Sequence, residues 1–277
     1  MSLAQNGCVA EEEQSSQHDE MWRQMLMGEL KSVQRLRRAV GWIPSEPRCK
    51  LCAAPFGSPG KMLVRFLGFA PSRINRRLCR ACIRHMEKEP GGAEVELTLL
   101  FADVRGSTAL AEQAAAQEFS RLIARFYGVA AAEIDKQDGI VDKFVGDEVV
   151  ALFIPGFAGA DHAARAIEAA HALLRRTGND GDDPWIRVGA AVHTGVAYVG
   201  TVGEGDAVDF TALGDAANTA ARLASSAGPG EILVSSAAAA AAELDTSELE
   251  GRTLTLRGRS ECVQAWVATA QPAKAVA

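Results

Sequence analysis

Two aspartates stand where apolar runs meet small residues. Asp103 closes Glu94-Val-Glu-Leu-Thr-Leu-Leu-Phe-Ala-Asp103 and is followed by Val104-Arg-Gly-Ser-Thr108, while Asp147 follows Gly146 between two apolar stretches covering 140–153. A carboxylate at a strand end is held rigidly, and Gly106, Ser107 and Thr108 at a helix start would let backbone N–H groups approach phosphates. Two such carboxylates facing each other suit Mg²⁺, a hard ion that takes oxygen ligands and keeps room for substrate phosphates. Each alone has a plainer explanation, since an aspartate ahead of a helix caps it and a Gly-Asp pair makes a tight turn.

Asn218 and Arg222 form a second pair, spaced i, i+4 in Asp215-Ala-Ala-Asn218-Thr-Ala-Ala-Arg222. On a helix they share one face, so both can reach one bound molecule. A third group is Cys49-Lys-Leu-Cys52 and Cys79-Arg-Ala-Cys82, two C-x-x-C pairs with 26 residues between them. In a chain without a secretory signal this pattern favours a metal–thiolate site over disulfides, with zinc first and an iron–sulfur cluster as the alternative. The spacer is longer than in a simple zinc ribbon. His85, three residues after Cys82, is the alternative to one of these ligands and is read instead as part of a basic surface with Arg84.

Positioning these groups requires the following elements. Residues 1–17 are polar, acidic and aperiodic, hence expected to be disordered. Trp22, Met25, Leu26, Leu30, Val33, Leu36 and Val40 recur at helical spacing, so one amphipathic helix is expected within 18–44, ended by Gly41-Trp-Ile-Pro44. A basic cysteine module follows over 45–90, closed by the breaker cluster Glu89-Pro-Gly-Gly92. Beyond it the pattern predicts a strand at 94–103, a helix at 109–135, a hairpin at 140–153, a helix at 160–176, and strands at 186–193 and 195–201. A helix at 215–225, a short strand at 232–234, an Ala-rich helix at 236–243 and strands at 253–257 and 262–267 complete it, with Cys262 expected in the core. The fold class is α+β, with helices on a mostly antiparallel sheet. Residues from 269 onward are expected to be a disordered tail.

Phe101-Ala-Asp-Val-Arg-Gly-Ser-Thr108, Lys143-Phe-Val-Gly-Asp-Glu148 and Asp209-Phe-Thr-Ala-Leu-Gly-Asp-Ala-Ala-Asn218-Thr-Ala-Ala-Arg222, in this order and spacing, closely resemble the class III adenylyl/guanylyl cyclase catalytic domain. Val188-Gly-Ala-Ala-Val-His-Thr-Gly195 and Gly228-Pro-Gly-Glu-Ile-Leu-Val234 are similar to the family's connecting segments. The resemblance implies a ferredoxin-like, palm-type domain over 94–268. It also implies that Asp103, Asp147 and the Val104 carbonyl hold two Mg²⁺ or Mn²⁺ ions that help cyclise a nucleoside triphosphate. By the same resemblance Asn218 would orient the ribose and Arg222 would stabilise charge growing on the α-phosphate.

Lys143 and Thr211 match the base-reading positions. An ammonium donates to the acceptor atoms of adenine, so the resemblance favours ATP as substrate and adenylate cyclase as activity; Thr211, a donor and an acceptor, discriminates less sharply, leaving GTP or a pyrimidine triphosphate open. Arg257 stands where the family often has a phosphate-binding Lys, with Arg259 as competitor, and His193 is read as structural. One catalytic domain carrying both residue sets implies a head-to-tail homodimer with two composite sites. The reading from another class is a low-turnover nucleotide sensor whose basic module binds nucleic acid or membrane.

The bulk numbers agree with two modules. Residues 31–88 hold fourteen Lys/Arg against two acids, whereas the remainder holds fifteen against thirty-three. A positive module of this kind admits a nucleic-acid or anionic-membrane partner, though charge balance against the acidic domain suffices. No run of ~18 apolar residues occurs and the N-terminus is acidic at Glu11, Glu12 and Glu13, so a soluble, cytoplasmic protein is expected.

Overall fold

A computed structural model describes residues 16–43, 45–58, 60, 69–72, 77–88, 90–204, 209–255 and 262–270. Two compact units divide the chain, one taking Met1–Val95 with Tyr198–Thr211, the other Glu96–Ala197 with Ala212–Ala277.

In the first unit the predicted single helix is two, α1 over 16–26 and α2 over Lys31–Gly41. Gly28 sits at φ 75° between them. Its left-handed backbone lets the amides of Glu29 and Leu30 turn back onto the Gln24 carbonyl at 2.7 and 3.0 Å, which closes α1. The apolar stripe therefore splits. Trp22, Met25 and Leu26 are buried, while α2 buries nothing. Residues 16 and 17, expected in the acidic tail, begin α1; the rest of that tail, Cys8 included, lies outside the described residues. A third helix, α3 (Arg80–Lys88), starts at the second cysteine pair.

The second unit holds most of a sheet ordered β2-β3-β1-β4-β6-β8-β7, with β5 paired to β4. Strand β1 spans Gly92–Val104, β2 Ile140–Val145, β3 Glu148–Phe153, β4 Val188–Val202, β5 Asp209–Leu213, β6 Glu231–Ser235, β7 Glu250–Leu254 and β8 Val263–Thr269. Residues 97–102 of β1 and 149–153 of β3 are buried continuously, as expected of strands covered on both faces. β3 runs antiparallel to both β1 and β2, β8 to both β6 and β7, and β4 pairs with β6 in parallel.

Helices α4 (Ser107–Gln113), α5 (Ala116–Lys136), α6 (Pro155–Ala158), α7 (His162–Arg176), α8 (Asp215–Ser226) and α9 (Ser236–Ala241) complete it. The helix expected over 109–135 is thus α4 and α5, separated at Ala114 and Ala115, whose ψ values are 151° and 144°. α4 buries no residue and need not share the axis of α5, which turns Ile123, Phe126, Ala130 and Ile134 into the core. Each large apolar side chain so buried contributes roughly 1.5–3 kcal/mol. The two strands expected over 186–201 are one, β4, because Thr194 is drawn inward by a 2.7 Å hydrogen bond with Thr98 and Gly195 takes no left-handed turn. Cys262 is exposed, one residue ahead of β8, so it is not a core residue. Among the described residues no helix is long and apolar enough to cross a membrane.

Candidate active site

The β1/β3 register sets Asp103 opposite Glu148, and Gly146 at φ 62° makes the tight β2–β3 turn that presents Asp147. The Val104 amide donates to the Asp147 carbonyl at 3.3 Å, tying the turn to the end of β1. Tyr127 of α5 buttresses the turn by donating to the Gly146 carbonyl and stacking on Phe144, ring centroids 4.1 Å apart. Asp103, Asp147 and the Val104 backbone are therefore brought together.

Electrostatics mark the spot. Burial pushes the Asp103 carboxyl up to about 6, with Asp147 adding to the rise and Arg105 opposing it. Burial, then the charges of Asp103 and Asp147, push Glu148 up to about 7. Three carboxylates share this corner with the Arg105 guanidinium, which is ion-paired with Asp103 and also reaches the Ser225 and Ala227 carbonyls at 3.4 Å. Such a cluster fits divalent cations, which relieve the mutual repulsion that one guanidinium leaves.

Gly106 takes φ 76° at the start of α4, with Ser107 half-buried and Thr108 exposed behind it. On β2 the register slips between Val141 and Lys143, a bulge that sets Asp142 beside the Lys143 ammonium at 3.5 Å. Thr211 is buried in β5. Asn218 is exposed and Arg222 half-buried on α8; among the described residues neither side chain makes a hydrogen bond or an ion pair within the chain. Arg257 and Arg259 lie outside the described residues. His193 bonds the Ser235 hydroxyl at 2.9 Å, and that hydroxyl caps α9 through the Ala238 amide.

The four cysteines of the first unit converge. Their sulfurs all lie within 4.8 Å of one another, with Cys49–Cys82 at 3.9 Å and Cys52–Cys79 at 3.7 Å. Hydrogen bonds from Cys52, Cys79 and Cys82 push the Cys49 thiol below its ordinary range, while Cys49 and the other two sulfurs push Cys82 up. His85 is not among the ligand-forming residues; it lines a small apolar recess with Met21, Trp22, Met25 and Leu30. Two arginines of the basic segment are committed internally, Arg37 to the Lys50 carbonyl at 2.6 Å and Arg48 to those of Val40 and Ala53 at 3.1 and 3.0 Å.

Sequence reasoning assigned no role to Glu148, Arg105 or Tyr127. Glu148 becomes visible once the hairpin register is drawn, since it faces Asp103 across the pair. Nothing in the sequence indicated that Arg105 folds back on Asp103.

Residues 92–269 match the family model described as "Adenylate and Guanylate cyclase catalytic domain". An adenylate cyclase of Anabaena cylindrica is 33% identical over 175 residues, which cover 61% of this chain and 34% of that protein. The chain spans about a third of the length of the curated relatives it matches. Among solved structures, the guanylyl cyclase Cya2 is 28% identical with a TM-score of 0.58, covering 64% of this chain and 93% of that one. The adenylyl cyclase CyaB from P. aeruginosa is 27% identical with a TM-score of 0.56, covering 67% and 99%.

Proposed function

The chain belongs to the class III adenylyl/guanylyl cyclase catalytic domain family, and from that premise we propose that it converts ATP to 3′,5′-cyclic AMP and pyrophosphate at sites shared between two copies. The observation that carries this reading is the corner of Asp103, Asp147 and Glu148, where burial and mutual repulsion raise two carboxyls and a single guanidinium offsets them. Asp103, Asp147 and the Val104 carbonyl would hold two Mg²⁺ or Mn²⁺ ions, which supply charge neutralisation for the triphosphate and acidify the ribose 3′-hydroxyl.

The chain's own groups do the rest. Amides following Gly106, with Ser107 and Thr108, cradle phosphate at the end of β1. Lys143, held up beside Asp142, donates to acceptor atoms of adenine, and the Thr211 hydroxyl serves the same base. Arg222 offsets charge growing on the α-phosphate while Asn218 orients the ribose; Arg257 is the candidate for the terminal phosphates.

A head-to-tail homodimer is supported by two features. Asn218 and Arg222 have no partner within the described chain, as expected of groups that serve a neighbour's substrate. Phe144, Val145, Val196 and Leu213 expose 42, 54, 56 and 46% of their surface beside the segments carrying Lys143, Asp147 and Asn218, where a second copy would cover them. The sulfur quartet supports reading the N-terminal unit as a metal–thiolate module. Offering purified protein ATP, GTP, CTP and UTP in turn with Mg²⁺ or Mn²⁺ tests the reading. Cyclic AMP and pyrophosphate are expected from ATP; nucleotide binding without any cyclic product would replace the enzyme with a sensor.

A further inference from the structure

Four sulfurs bound to one ion at ~2.3 Å form a tetrahedron with edges of ~3.8 Å. The Cys49–Cys82 and Cys52–Cys79 separations of 3.9 and 3.7 Å match that edge, and both far exceed the ~2.05 Å of a disulfide. A cluster of several irons with sulfides between them would need its thiolates spread wider than the 4.8 Å that bounds this set. Backbone amides already donate to the sulfurs. The Cys79 amide donates to the Cys49 sulfur at 3.3 Å and the Cys82 amide to the Cys79 sulfur at 3.4 Å, and the Lys50 amide joins the two knuckles through the Arg77 carbonyl at 2.9 Å.

From this quartet a continuous path leads to the strand ends of the same unit. Cys82 lies in the first turn of α3, and one turn later His85 forms a recess with Met21, Trp22, Met25 and Leu30. Trp22 is 2% exposed and its indole N–H donates to His18, whose ring nitrogen also lies 3.2 Å from the Pro90 carbonyl. α1 presses so closely on the next residue that a Cβ at Gly91 would fall 2.6 Å from His18. Gly91 in turn is clasped by Thr201. Its amide donates to the Thr201 hydroxyl at 2.7 Å, and its carbonyl accepts from the Thr201 amide at 2.8 Å and from the hydroxyl at 3.1 Å. Strand β1 begins at the next residue and ends past Asp103; β4 ends at Val202, and the chain returns through β5 to α8.

We infer that the cysteine quartet holds one tetrahedral zinc-class ion, and that this ion pins α3 and α1 onto the Gly91–Thr201 clasp, so that its occupancy governs the strand ends leading to Asp103 and Asn218. Only the activity readout rests on the cyclase reading; metal content and amide exchange stand apart from it.

The test uses the full chain. Elemental analysis is expected to give one zinc per chain and no acid-labile sulfide, and replacement by Co²⁺ to give intense tetrahedral visible bands. Extraction of the ion with a thiol reagent and chelator should speed amide exchange in 90–95 and 198–201 about tenfold or more, leave 149–153 unchanged, and lower cyclic AMP formation, all reversed by added zinc. Thr201→Val removes the two hydroxyl bonds of the clasp and leaves its one backbone bond, without touching a ligand. It should keep one zinc per chain while exchange at 90–95 and 198–201 becomes fast whether or not zinc is bound. Iron with sulfide, or no metal, overturns the ion; zinc whose removal leaves exchange at 90–95 and 198–201 unchanged overturns the pin. Exchange coupling retained with no cyclase activity in any form would sink the catalytic reading alone.

Discussion

The Arg105 guanidinium is ion-paired with the Asp103 carboxylate and simultaneously reaches the Ser225 and Ala227 carbonyls at the end of α8. A resident cation thus occupies the electrostatic niche that divalent metals would take, and it links β1 to the helix bearing Asn218 and Arg222. Two charges of like sign within ~5 Å repel by about 1 kcal/mol or more even under strong screening. Arg105→Ala should therefore bind Mn²⁺ about fivefold or more tightly, read by calorimetry without nucleotide. Weaker Mn²⁺ binding would make Arg105 a support for the metal site instead of its competitor.

The raised carboxyls set a pH dependence. A carboxyl whose folded value lies above its unfolded one stabilises the fold most at low pH, and that stability is lost as pH rises through the folded value. With Asp103 at about 6 and Glu148 at about 7, the metal-free protein should lose thermal stability between pH 4 and 7, and Mn²⁺ should restore it above pH 7. Glu148→Gln removes one of these groups. Its metal-free form at pH 8 should melt about 2 °C or more above the parent, and an unchanged melting profile from pH 4 to 8 would refute this account.

Much of this corner was legible in the sequence. The apolar run into Asp103 and the Gly-Asp turn at 147 predicted a strand and a hairpin, and both formed with Gly146 left-handed as such a turn demands. The long helix expected at 18–44 was not, because the apolar period runs unbroken past Gly28, whose left-handed backbone closes α1 after Trp22, Met25 and Leu26 are buried. Periodicity likewise ran through Ala114 and Ala115, where no breaker marks the boundary. What sequence cannot carry is side-chain direction: Arg105 and Glu148 were in quoted motifs, yet their convergence follows from strand register.

A shared site has a stoichiometric signature. Asp103→Ala and Asn218→Ala chains should each be inactive, but after subunit exchange at equal ratio half of the dimers hold one of each, with one intact site of two. Mixed protein should regain about a quarter of parental activity. No rescue despite exchange, followed by mass spectrometry of labelled subunits, would place both residue sets in one chain's own site.

Behind the strands that carry the site lies a buried polar chain. The Thr98 hydroxyl is 2.8 Å from His162 Nδ1 and 2.7 Å from the Thr194 hydroxyl, with Thr98 fully buried. Burial pushes His162 below the ordinary histidine range, so its contribution to stability is present above about pH 6.5 and is lost as pH falls below that. Thr98→Val conserves shape but strands both partners, and an unsatisfied buried group costs about 1–3 kcal/mol. The melting temperature at pH 8 should fall by several degrees. Thr98→Val with Thr194→Val removes one stranded hydroxyl and should recover part of the loss. A double variant no more stable than the single one would mean that the cost comes from packing and not from the orphaned Thr194 hydroxyl.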